Sequence, residues 1–197
     1  MKAEEMSADP GADRYSAGII IEPYSPDWAR QFRLVADALE TVLAGLSVTS
    51  IEHVGSTAIP GLPAKPILDI DIIVPRDVIA PATEALEGAG YTHLGDLGVT
   101  DREAFAAPDE TPARNVYLCV ADTLHVRNHL AVRAALLAHP ALRDRYGSVK
   151  QQLAREPDME LHRYTAGKSA VLQDILAASD LTAEEKRKIY ELNTRQE

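Results

Sequence analysis

Cysteine is almost missing from this chain of 197 residues, which contains Cys119 alone. A single thiol excludes an intrachain disulfide, and this usage is typical of the reducing cytoplasm, where we expect the protein to reside. Long apolar runs are missing too, because no stretch of about 18 residues is apolar throughout. The N-terminal residues are polar and acidic and contain no apolar signal core. The sequence therefore predicts neither a membrane-spanning helix nor a secretory signal.

Basic residues are in the minority, with 20 lysines and arginines against 30 aspartates and glutamates and a formal net charge of -10. This balance argues against a broad basic face for nucleic acid, and against binding to an anionic membrane surface. A small-molecule partner fits the charge better. The hydrophobic fraction of 46% and charged fraction of 25% are those of an ordinary soluble globule.

The order of the predicted elements indicates one α+β domain. Residues 1–17 have low hydrophobicity and contain Pro10 and Gly11, so we expect a disordered tail there. Residues 18–197 are long enough for a single domain with a sizeable core. Strands are concentrated in the first two thirds and helices in the last third. This order predicts a mixed sheet with helices on one side, followed by a helical C-terminal half.

Hydrophobic periodicity and capping residues give the expected elements. The first helix follows Ser25, a favourable N-cap, and ends near Gly45. Thr182 and Glu185 form a capping box for a final short helix. Further helices are predicted over residues 76–88, 126–138, 141–155 and 159–178. Strands are predicted over residues 67–74, 91–94, 104–107 and 115–120, and one more precedes the turn described next.

Residues 51–74 form the block around which the chain is organised, and they include two acids on one predicted strand. Asp69 and Asp71 are two residues apart, so they share a face at a separation of roughly 7 Å, since each residue rises about 3.3 Å. Two ionised carboxylates among aliphatic neighbours repel each other and are unfavourable without a partner. A Mg²⁺ ion held between them relieves both effects. The alternative is a pair of strand carboxylates in salt bridges.

A turn of small residues, Gly55, Ser56 and Thr57, precedes the acidic strand. Alone it indicates only a tight turn. Next to the acids it favours phosphate binding, because glycine lets a phosphate approach the backbone and the amides with the Ser56 hydroxyl form an anion nest. Thr57 adds a further donor or caps the following turn.

Three segments of this block resemble the GrpB family, within the nucleotidyltransferase superfamily and its polymerase-beta-like fold. They are His53-Val54-Gly55-Ser56-Thr57-Ala58, then Pro60-Gly61-Leu62 with Ala64-Lys65-Pro66, and then Asp69-Ile70-Asp71. The resemblance implies that the turn holds nucleotide phosphates and that the acids bind Mg²⁺ and act in catalysis. It also implies a nucleoside triphosphate as substrate.

The resemblance is incomplete at the third acid that the superfamily often adds from a later strand. Residues 115–120 supply that strand here, and one face carries Asn115, Tyr117 and Cys119 but no acid. A metal ion can still bind nucleotide without this acid. The activation of an acceptor hydroxyl is then left without its usual base.

The family's helical "HL.FRD"-like motif is similar to the segment around His129 and Arg133, which are neighbours on one helical face. Val132 stands in place of the phenylalanine and Ala134 in place of the aspartate. The resemblance implies that His129 and Arg133 contact the nucleotide.

Each of three further residues has two interpretations. Lys65 contacts a triphosphate or is a solvated loop lysine. Lys168, which interrupts an apolar stripe, reaches a terminal phosphate or extends along the surface to solvent. His53 is catalytic or is a buried, hydrogen-bonded histidine.

Three functions are compared with these features. The first is an Mg²⁺-dependent nucleotidyltransferase that transfers a nucleotidyl group to a small-molecule acceptor, or activates that acceptor as an adenylate. The second is a binding module of the same fold that holds a nucleotide or coenzyme without transfer. The third, a purely structural domain, leaves the charged strand face unexplained.

Overall fold

The computed structural model describes residues 19–194, so the predicted disordered tail, residues 1–17, lies outside the described residues. A five-stranded sheet has the order β1-β2-β5-β4-β3, in which β2 and β5 are parallel and the other neighbours are antiparallel. The strands are β1 (Ser50–Val54), β2 (Leu68–Val74), β3 (Thr92–His93), β4 (Arg102–Ala106) and β5 (Arg114–Val120). The predicted mixed α+β sheet is confirmed.

Seven α-helices accompany the sheet in the described residues. They are α1 (Asp27–Val42), α2 (Ile79–Gly88), α3 (Leu124–Ala138), α4 (Pro140–Ala154), α5 (Leu161–Gly167), α6 (Ser169–Ala177) and α7 (Ala183–Thr194). Two 3-10 turns, Ser56–Ala58 and Arg76–Val78, follow β1 and β2. No helix among these is long and apolar enough to cross a membrane.

The alternation along β2 gives the sheet two different faces. Leu68, Ile70, Ile72 and Val74 join the main core with residues of α1 and α2. On the opposite face Ile73 packs with Cys119 and with Val126 of α3. Asp69 and Asp71 have the parity of Ile73, so they lie on this second face, as the alternation predicts. The C-terminal helices pack there in a further apolar cluster that includes Ile59, Leu62, Tyr146 and Ile175.

The prediction of one continuous helix over residues 159–178 is wrong. Residues 159–178 form α5 and α6, which are separated at Lys168. The preceding Gly167 has a low helix propensity, and a Cβ atom on it would lie 2.6 Å from Cδ2 of Leu153 in α4. Close packing of α5 on α4 therefore requires glycine at the junction, and the junction places Lys168 beside α4.

The capping predictions have different outcomes. Glu185 accepts from the Thr182 amide at 2.8 Å, and the Glu185 amide donates to the Thr182 hydroxyl at 3.3 Å, so the capping box is confirmed. The N-cap of α1 is Pro26 and has no side-chain cap. The Ser25 hydroxyl nevertheless accepts from the Asp27 amide at 3.2 Å, which is the capping bond expected of Ser25, although the helix is assigned from one residue later.

Candidate functional site

A cavity of about 160 Å³ opens beside the turn between β1 and β2. Residues from the turn, both parallel strands and the C-terminal helices line it: Ser56, Lys65, Ile67, Asp69, Asn115, Tyr146, Lys150, Tyr164 and Lys168. The sheet fixes the strand residues, the turn and loop before β2 supply Ser56, Lys65 and Ile67, and α4, α5 and the junction after α5 bring the others. Elements far apart in sequence therefore supply a single polar cavity.

Glycine is required in the turn because the chain passes directly against Asp69. Gly55 has a φ of +68°, and a Cβ atom there would overlap Oδ2 of Asp69. The left-handed backbone and the close approach both exclude a larger side chain. The turn then continues into the 3-10 segment Ser56–Ala58, and Ser56 lines the cavity. Turn and carboxylate thus form one unit.

Asp69 is the acid of this cavity. Its Oδ1 accepts a hydrogen bond of 2.9 Å from Nδ2 of Asn115, its partner in the parallel register of β2 and β5. Burial raises the pKa of Asp69, while the bond from Asn115 and the positive charge of Lys168 oppose that rise. The strand from which the resemblance implies a third acid therefore supplies an amide instead, and this amide holds Asp69 in place.

Three lysines converge on the cavity and give it a positive character within an acidic protein. Lys65 and Lys168 lie 4.9 Å and 4.5 Å from the ring centre of Tyr164. Lys150 lies 4.6 Å from the ring centre of Tyr146, and its ammonium is buried without a hydrogen-bond partner among the described residues. Three lysines beside one carboxylate, that of Asp69, indicate a site for an anion.

The pKa values of these lysines follow from their crowding. Burial first, and then the charge of Lys168, lower the pKa of Lys150 to about 7. Burial and the charge of Lys65 lower the pKa of Lys168 to about 8. The pKa of Lys65 is lowered by burial as well. An anion in the cavity would restore the charged forms, since opposite charges favour ionisation.

Asp71 lies in a different environment from Asp69, although both acids share the sheet face. It is fully buried, and its Oδ2 lies 2.8 Å from Nδ1 of His129. Its Oδ1 has no hydrogen-bond partner among the described residues. His125 is the third member of this group, whose ligand atoms all lie within 4.8 Å of one another. Burial and the neighbouring His129 lower the pKa of His125 to about 3.

The two acids supply part of the oxygen set that Mg²⁺ requires, and phosphate and water can supply the rest. Mg²⁺ prefers oxygen atoms and is bound by one or two carboxylates plus phosphates and water. The unpartnered Oδ1 of Asp71 is a buried acceptor that a cation satisfies, and Asp69 faces the cavity. The donor set therefore fits an ion shared with a phosphate-bearing molecule.

The predicted site residues do not all line the cavity. Ser56, Lys65, Asp69 and Lys168 line the cavity, and Gly55 packs against Asp69. Thr57 is instead buried, where its hydroxyl lies 3.0 Å from Nε2 of His53 and 3.3 Å from the carbonyl oxygen of Ile67. It connects the turn to the start of β2.

His129 and Arg133 lie on one face of α3, but they contact different groups. His129 contacts Asp71, whereas Arg133 donates to the His53 carbonyl at 2.7 Å and to Glu52 at 2.8 Å. The residues that line the cavity include neither of them. Arg133 therefore ties α3 to β1.

His53 has the geometry of the buried alternative. It stacks on Phe32 with ring centres 4.7 Å apart, and burial followed by the charge of Arg133 lowers its pKa to about 4. Its hydrogen bond to Thr57 holds the end of β1 against the turn. These contacts support a structural histidine.

Lys150 and Tyr146 were missed as site residues. A signal was present, because Lys150 lies four residues after Tyr146 and beside the apolar stripe of α4, as Lys168 lies in its own stripe. His125 was missed as well. It lies four residues before His129, and nothing in that spacing reveals the contact with Asp71 on a distant strand.

The family model of the GrpB protein matches residues 18–178. The chain belongs to the GrpB family. A UPF0157 protein of Halalkalibacterium halodurans is 32% identical over 171 residues, which cover 85% of this chain and 86% of that protein. The glutamate-rich protein GrpB of Alkalihalophilus pseudofirmus is 34% identical over 80% of this chain and 94% of its own length. The resemblance inferred from the turn and the acids is thereby confirmed.

Solved structures agree with this assignment. GrpB from Enterococcus faecalis superposes with a TM-score of 0.69 at 31% identity, covering 80% of this chain and 98% of that one. A chain of the GLD-2/RNP-8 complex superposes with a TM-score of 0.51 at 15% identity, covering 77% and 60% of the two chains. The second likeness, at 15% identity, concerns the fold alone.

A dephospho-CoA kinase of Mycobacterium tuberculosis is a relative of another kind. It is 30% identical over 172 residues, which cover 74% of this chain but 42% of that protein. The GrpB-like part is thus less than half of that relative.

Proposed function

We propose that this GrpB protein binds a nucleoside triphosphate with Mg²⁺ and transfers the nucleotidyl group to a small-molecule acceptor. The observation that carries the proposal is the convergence of Lys65, Lys150 and Lys168 beside Asp69 and the glycine-serine turn. Three buried or half-buried ammonium groups match the charge of a polyphosphate. Asp69 and Asp71 hold the metal ion, which when bound neutralises charge on the phosphates.

In this proposal the residues of the chain act by positioning. The Gly55–Ser56 turn leaves space for a phosphate against the backbone, and the lysines neutralise the departing pyrophosphate. The acceptor oxygen forms a bond to the α-phosphorus as the bond to pyrophosphate breaks. Asn115 keeps Asp69 oriented throughout. Such arrangements act through proximity and fixed charges.

The chemistry at Asn115 supports one class of acceptor over another. Since β5 carries no acid, no carboxylate there takes a proton from a hydroxyl nucleophile. A carboxylate or phosphate acceptor is already ionised at neutral pH and needs no such base. We therefore propose that an anionic acceptor is preferred, with an acyl-adenylate or a phosphoanhydride as product. The acidic net charge makes nucleic acid an unsuitable acceptor.

The test is incubation with each α-labelled nucleoside triphosphate, Mg²⁺ and a panel of carboxylates, phosphates and alcohols. We expect labelled product and pyrophosphate with an anionic acceptor, and loss of both in Asp69→Asn and in Asp71→Asn. The exposed Asp77→Asn is the matched control and keeps activity. Turnover that persists in both single variants and in the double variant contradicts the site assignment.

The second candidate is a module that binds a nucleotide or coenzyme without transfer. The amide at Asn115 favours it, and so does the likeness to part of a protein named for a dephospho-coenzyme. Calorimetry separates the two functions. Binding that depends on Lys150 and Asp69 but gives no product with any acceptor favours the module.

A further inference from the structure

Asp71 also belongs to a group of side chains that could hold a metal ion, and none of them lines the cavity that contains the lysines. Asp71 contributes a fully buried carboxylate from β2, and His125 and His129 contribute imidazoles from successive turns of α3. The two ring centres are 4.0 Å apart. The ligand atoms of the three residues lie within 4.8 Å of one another.

Two atoms of this group lack the partners that buried polar atoms normally have. Oδ1 of Asp71 and Nε2 of His125 are buried without a hydrogen-bond partner among the described residues. An unpaired buried polar atom costs about 1–3 kcal/mol, so a native structure rarely leaves such atoms unsatisfied. One cation bound by the carboxylate and the imidazoles satisfies them together.

We propose that Asp71, His125 and His129 form a site for a first-row transition-metal ion of the Zn²⁺ or Fe²⁺ class. The donor set decides the ion, because imidazole nitrogen suits these metals whereas Mg²⁺ prefers oxygen. Two histidines and one carboxylate are a common set of protein ligands when an open position is kept. Bonds of about 2.1 Å place two ligand atoms at most about 4.2 Å apart, so a small side-chain rotation closes the group.

The site also has an entrance. His125 and His129 line a cavity of about 530 Å³ together with Asp101, Thr123 and Asn128. Three protein ligands beside an open cavity leave coordination positions for water or for an anionic group of a small molecule. The ion therefore binds at the wall of a cavity with a different lining from the lysine-rich one.

This ion shares Asp71 with the Mg²⁺ site of the proposed function, but its other ligands are different. The two sites share only Asp71, since His125 does not line the lysine-rich cavity and Asp69 is not a member of the histidine group. The variants Asp69→Asn and His125→Gln consequently affect different sites. Failure of nucleotide binding and failure of transition-metal binding are distinguished by this pair.

The test is titration of the chelator-treated full chain with Co²⁺, which reports its coordination through visible d–d absorption. We expect one equivalent to give these bands and Zn²⁺ to remove them by competition. His125→Gln should weaken Co²⁺ binding at least tenfold. Asp69→Asn should bind Co²⁺ as the unaltered chain does, and so should His162→Gln, whose imidazole is exposed.

A measurement on the unaltered chain covers the case in which a variant does not fold. Zn²⁺ should shift the imidazole nitrogen NMR signals of His125 and His129 and leave that of His162 in place. The proposal is overturned if the unaltered chain gives no Co²⁺ bands. It is equally overturned if folded His125→Gln binds Co²⁺ undiminished, or if Zn²⁺ leaves both imidazole signals unmoved.

Discussion

Lys150 is the residue at which function and stability are opposed. Its side chain is 2% exposed and its ammonium has no hydrogen-bond partner among the described residues, although Tyr146 lies beneath it. A buried cation of this kind destabilises the free protein and becomes favourable when an anion binds. A binding site that contains such a group therefore has a lower free energy of unfolding when empty and a higher affinity for its ligand.

Replacing Lys150 by methionine should therefore have two effects of opposite sign. We expect affinity for ATP or tripolyphosphate to fall about tenfold, because one of three charges is lost. The free energy of unfolding should rise by about 1–3 kcal/mol, because the unpaired ammonium is removed. Calorimetry and urea unfolding measure the two quantities. The exposed Lys188→Met should change neither, and a Lys150→Met chain that binds ATP undiminished contradicts the anion site.

The lowered pKa values predict how binding depends on pH. Lys150 and Lys168, with pKa values of about 7 and about 8, lose their protons as pH rises to about 9. Affinity for ATP should fall over this interval, in which the phosphates of ATP are already ionised. Calorimetry in buffers of different ionisation enthalpy should show proton uptake on binding. Affinity that does not vary with pH excludes these lysines as the titrating groups.

The same pKa values have a consequence for stability with a definite sign. Because the pKa of Lys150 is about 7 in the folded chain and about 10.4 in the unfolded one, the folded state binds fewer protons between these values. The contribution of Lys150 to stability therefore rises with pH through this window. Urea unfolding at about pH 7 and about pH 9 should show a larger rise for the unaltered chain than for Lys150→Met.

At the scale of elements, α4 carries the lysine site and is positioned by close packing on the loop before β2. A Cβ atom on Gly147 would lie 2.9 Å from Cδ of Pro63. Gly147 adjoins Tyr146 in the same turn of α4. The distance between helix and loop therefore sets where Tyr146 and Lys150 meet the cavity.

Gly147→Ala tests this packing through the sign of its effect. Replacing a glycine inside a helix by alanine usually raises the free energy of unfolding, by about 0.5–1 kcal/mol. Here we expect a loss of about 1–3 kcal/mol, because the new methyl group meets Pro63. Gly88→Ala in α2 is the matched control, since open space surrounds that position, and it should be neutral or stabilising. Urea unfolding of the two variants measures the difference.

The elements could be predicted from the sequence to a large extent, because they follow local periodicity. The alternation along β2 correctly placed Asp69 and Asp71 on one face. It could not show that Asn115 would hold one acid and His129 the other, since those partners are 46 and 58 residues away. The break between α5 and α6 was missed because Leu153, which requires Gly167, lies in a different helix.

At the scale of the whole molecule, a positive cavity lies within a chain of net charge -10. The net negative charge of the chain repels long polyanions, whereas a short anion that enters the cavity meets the lysines directly. Binding energy from such a ligand is available only to the folded chain, since the lysines come from separate elements. It therefore adds to the free energy of unfolding.

Thermal unfolding should reveal this coupling without any assumption about the acceptor. A nucleotide at about 100 times its Kd stabilises by about 2.7 kcal/mol, which for a chain of this size raises Tm by roughly 5–11 °C. Fluorescence of Trp28, the single tryptophan and a member of the main core, reports the transition. We expect MgATP to raise Tm in the unaltered chain and to have little effect in Asp69→Asn. Tripolyphosphate without Mg²⁺ should act mainly through the lysines, so its smaller effect should be reduced in Lys150→Met but persist in Asp69→Asn. If MgATP and tripolyphosphate both leave Tm unchanged, the lysine cavity does not bind polyphosphates.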